Sequence, residues 1–307
     1  MKVYNPKPLA PVAEQMLKDS GVEIVGSSGP TKEDLIKDVA DVDVIVVWLS
    51  PNHIDKEVID AAKKLKLISR FGVGMEIVDV KYAQSKGIMV CNTPFSNINS
   101  VAEHAMYLIM ACARNSRIVD TKMHSGEFNS IKKISAVELE GSTLGIIGLG
   151  SIGRAVAKIA SALGMRVIAY RGHGEGVEML PLKEVFAQAD VLSLHCPLTK
   201  ENARMIDEAA LAQMKPGAFL LNTARGGLLD EEAVAAALKS GRLAGAAVDV
   251  ASSEPIAADN PLLTAPNCIL TPHIAWATSA ARVRLMDIAV ENLRAFLAGK
   301  PINVVNL

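Results

Sequence analysis

Aromatic residues are scarce: Phe, Trp and Tyr make up 4% of the 307 residues, although 50% are hydrophobic. Cores built from such a chain must be aliphatic, as in parallel sheets covered by helices. Cysteine is sparse and scattered. Cys91, Cys112, Cys196 and Cys268 include no CxxC pair. That pattern supports neither a disulfide framework nor a zinc site, and suits small buried hydrophobes in a reducing compartment. An excess of one charge is missing too, since 32 Lys+Arg face 33 Asp+Glu for a net −1. The balance argues against a nucleic-acid binder or a polybasic membrane-surface protein. No apolar run approaches the ~18 residues that span a bilayer, and Met1 to Pro6 carries no apolar signal core. A soluble, cytoplasmic protein with no membrane or nucleic-acid partner is expected. No histidine or cysteine cluster has metal-ligand spacing, so no metal is expected either.

What is present is an alternation of short β-branched runs and helical patterns, the signature of a parallel α/β sheet. Val42 to Trp48, Leu67 to Ser69 and Ile88 to Val90 read as strands, and Asp55 to Leu65 as a helix. Thr31-Lys32-Glu33-Asp34 has the form of a capped helix start. The segment from Ser100 to Arg114 is helical in spacing (Val101, Ala105, Leu108, Ile109, Cys112) and apolar on more than one face. It is expected to be buried between domains or between subunits, a dimer contact being favoured over ordinary core packing. A second series follows, with strands at Thr143 to Ile147, Arg166 to Tyr170, Val191 to His195, Ala218 to Asn222, Ala244 to Asp249 and Cys268 to Leu270. Helices are expected at Ile152 to Leu163 and Ser279 to Ala298, the latter ended by Gly299 and Pro301.

Gly148-Leu149-Gly150-Ser151-Ile152-Gly153 is a GxGxxG between an apolar strand and a helix. In that setting the first glycine permits a tight turn and the second lets backbone approach a pyrophosphate. The third allows helix and strand to pack, and the helix N-terminus offers free N–H groups to the anion. An acidic residue some 20 positions on usually binds the adenine ribose; here that position is Arg171. A guanidinium pairs with a 2′-phosphate where a carboxylate would repel it. NADP(H) is therefore expected in preference to NAD(H), with a solvated surface arginine as the alternative.

Three further segments place reactive side chains just after strands, where open α/β sheets bind ligands. They are Asn222 to Gly227, Val248 to Pro255 and Leu270 to Trp276, bearing Arg225, Glu254 and His273. An arginine can grip a carboxylate through two bonds and polarise an adjacent ketone. A histidine can protonate the alkoxide that develops, and a glutamate can orient the histidine. These are the parts needed to reduce a 2-keto acid. Taken singly, each also suits a structural place: Arg225 in a glycine turn, Glu254 on the surface, His273 in a loop.

Together with Arg70-Phe71-Gly72-Val73-Gly74, Asn92-Thr93-Pro94, Ser100-Val101-Ala102-Glu103-His104 and His195-Cys196-Pro197-Leu198-Thr199, these motifs resemble the D-isomer-specific 2-hydroxyacid dehydrogenase family over nearly the whole chain. The resemblance implies two Rossmann-like, doubly wound parallel-sheet domains, the cofactor domain inserted into a discontinuous substrate domain. Residues 1–97 and 278–307 would form the substrate-binding domain, and 98–277 the dinucleotide-binding domain. A homodimer is implied, with the long helix at its interface. Arg225 would bind the substrate carboxylate and keto oxygen, His273 would act as acid/base, and Glu254 would orient and charge it. The backbone at Val73 and Gly74 would hold the carboxylate. Gly148, Gly150, Ser151, Ile152 and Gly153 would surround the pyrophosphate, and Arg171 would meet the adenosine end. His195, Cys196 and Pro197 would line the adenine side, with Thr223, Ala224 and Asp249 near the nicotinamide.

Some positions depart from the family pattern. Arg171 replaces the acidic ribose ligand, Glu76 stands for the usual aspartate after Gly74, and Phe95 follows Pro94. Glu254 stands where formate dehydrogenases look to have glutamine, which disfavours formate. Trp48-Leu49-Ser50 offers apolar surface where phosphoglycerate dehydrogenases carry an arginine, and an unpaired phosphate would be poorly held there. His273 to Ala277 and Lys300 to Asn306 look most like glycerate dehydrogenases, also called hydroxypyruvate reductases, with glyoxylate as a common side substrate. Trp276 and Phe95 are either pocket walls or core aromatics. His104 is expected to be structural, and His53, His124 and His173 to lie in loops or surface turns. The alternatives are a D-3-phosphoglycerate dehydrogenase-like or other 2-keto acid reductase, and a dinucleotide-sensing binding module that is not an enzyme.

Overall fold

The computed structural model describes residues 1–6, 15, 18–48, 52–131 and 134–306; Leu49 and Ser50 of the expected apolar segment lie outside them. The chain divides into two compact units, one formed by Met1–Asn97 with Thr278–Leu307 and the other by Ile98–Ala277.

The first unit is a five-stranded sheet of β1 (Lys2–Tyr4), β2 (Glu23–Val25), β3 (Val44–Val47), β4 (Leu67–Arg70) and β5 (Met89–Cys91), in the order β2-β1-β3-β4-β5. All its pairings are parallel. Every residue of β3 and β4 is buried, as a sheet covered on both faces requires. Side chains alternate between the faces. Ile45, Val47, Ile68 and Val90 pack with Leu35 and Val39 of α1 (Lys32–Val39) and Val58 of α2 (Lys56–Ala61). Val44, Val46, Leu67 and Cys91 meet Leu285, Ala289, Val290 and Leu293 of the C-terminal helix Ser279–Leu297. That contact explains why the last thirty residues belong to this unit: without them one face of the sheet is bare. The tail beyond the helix is stitched to β5, Val90 N donating to Asn306 Oδ1 (2.8 Å) and Asn306 Nδ2 to Ile88 O (2.8 Å).

The second unit is a seven-stranded parallel sheet of β6 (Thr143–Leu149), β7 (Arg166–Gly172), β8 (Glu178–Met179), β9 (Val191–Leu194), β10 (Ala218–Asn222), β11 (Leu243–Val248) and β12 (Cys268–Leu270), in the order β12-β11-β10-β9-β6-β7-β8. The order reverses between β6 and β9, the switch point at which such sheets bind nucleotides. One face is closed by the helix Ile98–Ala113, whose Ala102, Ala105, Met106, Leu108, Ile109 and Cys112 pack with Val156, Ala157 and Ala160 of helix Ser151–Ala162. The apolar character of that long segment is thus largely ordinary core packing within its own unit. Tyr107 and Met110 are its exposed apolar residues.

The strands end where local chemistry stops them, and two run further than sequence periodicity indicates. The β6 ladder continues through Gly148 to Leu149, and β7 continues to Gly172, carrying Arg171 within a strand. Thr31 caps α1 in a full capping box, accepting from Asp34 N (3.1 Å) while Asp34 Oδ2 accepts from Thr31 N (3.1 Å). One expected loop residue is corrected: His124 ends the helix Ser116–His124, where Ser125 N bonds back to Thr121 O. The three-residue strands β1 and β2 and the two-residue β8 are too short to show a period, and sequence reading passes over them.

Candidate active site

Because every strand of the second unit is parallel, the carboxyl ends of β6, β7, β9, β10, β11 and β12 share one edge of the sheet. The expected site residues of this unit lie at or beyond those ends, Gly148 and Arg171 within the last residues of β6 and β7. Three positions are aligned across neighbouring strands: Asn222 of β10 with Val248 of β11, and Val248 with Leu270 of β12. Arg225 and His273 therefore each lie three residues beyond this aligned row, on either side of β11, with Asp249 one residue beyond it.

The glycine turn is sterically determined at two of its three glycines. Gly148 has φ +97°, and a Cβ there would lie 2.8 Å from His195 O and Cys196 N. A Cβ on Gly153 would lie 2.3 Å from Gly148 O. These two let the β6 turn press against the β9 turn and let the helix pack on its own strand. Gly150 differs, since a Cβ there would meet nothing within 4 Å. It is the N-cap of the helix Ser151–Ala162 and provides no side-chain cap. The first-turn N–H groups of that helix thus face open space, which a pyrophosphate fits. Further along the edge, Thr223 Oγ1 is buried without a hydrogen-bond partner, as a hydroxyl awaiting a ligand would be. The residues present fit a dinucleotide.

Around that turn, His195 packs against Gly148 and its Nε2 lies 2.7 Å from Ser193 Oγ. Burial pushes its pKa down to about 4, so the ring is neutral at physiological pH and serves as a hydrogen-bonding wall. Burial pushes the Cys196 thiol up. The Cys196–Asn202 loop is closed by Asn202, which donates to Pro197 O (2.8 Å) and accepts from Thr199 N (2.6 Å). Arg171 is exposed, holds φ +60°, and lays its guanidinium over the Tyr170 ring at 5.4 Å. Among the described residues it has no carboxylate within ion-pair distance.

The reactive trio is assembled by two loop contacts. A Cβ on Gly226 would lie 2.0 Å from Ala251 C and O, so the Arg225 turn and the Glu254 loop meet backbone to backbone where only glycine fits. Asn222, fully buried, braces the same turn by donating to Arg225 O (2.8 Å) and accepting from Ala224 N (3.0 Å). Arg225 Nη1 donates to Ala224 O (2.7 Å). His273 Nδ1 lies 2.8 Å from Glu254 Oε2, which leaves Nε2 as the nitrogen able to act on a ligand. His273 itself holds φ +53°, a conformation uncommon for a non-glycine residue and frequent at functional sites.

Asp249 holds that strained turn. Its carboxylate is 1% exposed and accepts from Thr271 Oγ1 (2.5 Å), Ile274 N (3.0 Å) and Ala275 N (2.9 Å). Burial alone would raise its pKa, but the hydrogen bonds from His104, Thr271, Ala275 and Ile274 outweigh it and the net shift is downward. Both oxygens are thus engaged by the loop that carries His273. His104 joins the same network, its Nε2 3.2 Å from Thr271 Oγ1. No spacing rule finds that pair, because 167 residues separate the partners.

Val73 and Gly74 belong to the first unit, just past β4. The buried Arg70 donates from Nε to Gly74 O (3.2 Å) and from Nη1 to Phe71 O (2.8 Å) and Val47 O (3.2 Å). Asn92 Nδ2 donates to Val73 O (2.9 Å). Both carbonyls are thereby tied back, and neither Val73 N nor Gly74 N has an acceptor among the described residues.

A sheet with this strand order and a helix without a side-chain cap behind a GxGxxG make a dinucleotide-binding α/β protein. Residues 106–275 match the D-isomer specific 2-hydroxyacid dehydrogenase, NAD binding domain, and the chain belongs to that family. It is 40% identical over 285 residues to a hydroxypyruvate reductase of Blautia hydrogenotrophica, covering 89% of this chain and 88% of that one. It is 39% identical over 315 residues to a D-3-phosphoglycerate dehydrogenase of Archaeoglobus fulgidus, all of this chain but 59% of the relative's length. A D-lactate dehydrogenase structure from Aquifex aeolicus, with NAD and lactic acid, superposes with a TM-score of 0.89 at 30% identity, covering 100% of this chain and 99% of that one.

Proposed function

We propose that the chain is an oxidoreductase that reduces a short 2-keto acid to a D-2-hydroxy acid, with hydroxypyruvate and glyoxylate as its substrates. The observation that carries this reading is the 2.8 Å His273–Glu254 pair beside the aligned strand end that bears Arg225. A nicotinamide dinucleotide, when bound, supplies or accepts the hydride. The chain does the rest. Arg225 engages the carboxylate and polarises the keto oxygen, and His273 Nε2 delivers the proton while Glu254 fixes the ring through Nδ1. Gly148, Gly150, Ser151, Ile152 and Gly153 cradle the pyrophosphate, His195, Cys196 and Pro197 border the adenine, and Thr223 and Ala224 face the nicotinamide. Asp249 acts from behind, on the His273 loop.

Arg171 carries the cofactor preference: exposed and, among the described residues, with no carboxylate within ion-pair distance, it suits the 2′-phosphate of NADP(H). An unphosphorylated substrate is favoured because the Trp48-Leu49-Ser50 segment carries no cation where phosphoglycerate dehydrogenases have an arginine. The exposed Tyr107 and Met110 suit a homodimer through the long helix. No helix among the described residues is long and apolar enough to cross a membrane, and the cytoplasm is the proposed location.

The test is NADPH and NADH oxidation with hydroxypyruvate, glyoxylate, pyruvate and 3-phosphohydroxypyruvate. Turnover of the first two, fastest with NADPH and lowered ~100-fold or more by His273→Ala with cofactor affinity intact, is the expected result. Tight cofactor binding with no turnover of any acid would favour a dinucleotide sensor. Arg171→Asp is expected to shift the NADPH:NADH ratio roughly tenfold or more toward NADH, the worth of one charge-assisted bond. An unchanged ratio would remove Arg171 from the 2′-phosphate.

A further inference from the structure

Glu254 sits on a stretch, Ala251 to Asn260, that has neither helix nor strand, and its side chain is 43% exposed. Something must hold such a loop if Glu254 is to meet His273 at 2.8 Å. One clamp is the Gly226–Ala251 backbone contact described above. The second is Glu231, the first residue of the helix Glu231–Lys239. Its Oε1 accepts from Ser252 N (2.8 Å), and its Oε2 accepts from Ser252 Oγ (2.6 Å) and Asn260 Nδ2 (2.8 Å). The helix does not need Glu231 for its cap, because Asp230 accepts from Ala233 N. The neighbouring charges are also spoken for or turned elsewhere: Asp230 pairs with Arg204 at 2.5 Å, and Glu232 is exposed. Glu231 therefore spends its whole carboxylate on both ends of the Glu254 loop. Charge-assisted bonds of this length are about twice as strong as neutral ones.

We propose that Glu231 is a positioning residue for the proton-transfer pair, setting where Glu254 meets His273 by clamping Ser252 and Asn260. The inference rests on the 2-keto acid reductase reading, but its test need not. In the cofactor-free chain labelled with 15N-histidine, exchange of the proton on His273 Nδ1 reports the Glu254 contact directly. Glu231→Ala is expected to speed that exchange to the rate of Glu254→Gln, and to lower kcat for hydroxypyruvate about tenfold, as small misplacements do, with the cofactor KM unchanged. Glu231→Gln keeps an acceptor for Ser252 and is expected to restore most of both. In a Glu254→Gln background, Glu231→Ala is expected to add nothing. If Glu231→Ala fails to fold, Ser252→Ala, which removes one bond from an exposed loop, is expected to show the same signature at smaller amplitude. Wild-type exchange at Nδ1 in these variants, or effects of Glu231→Ala and Glu254→Gln that multiply, would overturn the proposal. A wild-type chain that turns over no 2-keto acid but shows the faster exchange in Glu231→Ala would sink the functional reading and leave the clamp standing.

Discussion

The two units are both doubly wound parallel sheets, yet they treat their helix starts differently. In the first unit Thr31, Asp55 and Asp79 each accept N–H bonds from the helices they precede, so those ends are satisfied by the protein itself. In the second unit Asp207 and Asp230 do the same for two helices, but the helix behind the glycine turn begins at Gly150 with no such cap. The five-stranded unit caps these helix N-termini with side chains; the seven-stranded unit leaves those at Asn115, Gly150 and Pro181 without a side-chain cap, and of these only the Gly150 end follows the GxGxxG turn. The difference teaches that an uncapped helix start points to a binding site only when a second feature accompanies it, here a glycine-rich turn at the end of a strand.

The sharpest way to break the contrast is to give the second unit a cap like those of the first. Gly150 has φ −80° and ψ −162°, which any residue adopts, so Gly150→Asp is expected to fold with unchanged or slightly raised melting temperature. Its carboxylate would occupy and repel the anion position, and dinucleotide affinity is expected to fall about 100-fold, roughly 3 kcal/mol. Calorimetric titration with NADPH checks it; retained affinity would show that the open helix end is not the cofactor's seat.

A smaller effect separates the units by pH. His195 titrates near 4 when folded and near 6.5 when unfolded, so its neutral form stabilises the fold fully above pH 6.5. As pH falls from about 6.5 to about 4 the unfolded chain takes up the proton first, and stability drops by up to about 1.4 kcal/mol per unit. The first unit has only the exposed His53. Hydrogen exchange followed from pH 7 to 5 is therefore expected to show loosening of β6 and β9 before β3 and β4, and His195→Asn to abolish that order. The smallest expected change is at the other end of the comparison. Thr31→Ala, which deletes a capping box that no ligand uses, is expected to lower stability of the first unit by about 1 kcal/mol with cofactor affinity unaltered, as a denaturation midpoint would show.

Much of this was legible in the order of residues. The strands from Val44 to Cys268 other than β8, the Thr31 cap and the GxGxxG announce themselves locally, because hydrophobic period and glycine spacing act over a few residues. Arg225, Glu254 and His273 could be singled out because each follows a strand. The resemblance puts Asp249 near the nicotinamide; what its carboxylate holds, the turn of Thr271, Ile274 and Ala275, is visible only in the structure. Asp207 and Asp230 carried cap signals that pointed to two helices sequence reading passed over. The contacts of Glu231 and His104 leave no local signal, because their partners lie 21 and 29 residues, and 167 residues, away.

From the linear chain alone came two doubly wound α/β domains, a dinucleotide turn and the chemical parts of a keto-acid reductase. Those follow from short-range rules that any segment obeys wherever it sits. Which carboxylates orient the histidine loops, which glycines are demanded by a facing backbone and which helix start stays open were decided only in three dimensions, because each depends on what distant strands bring alongside.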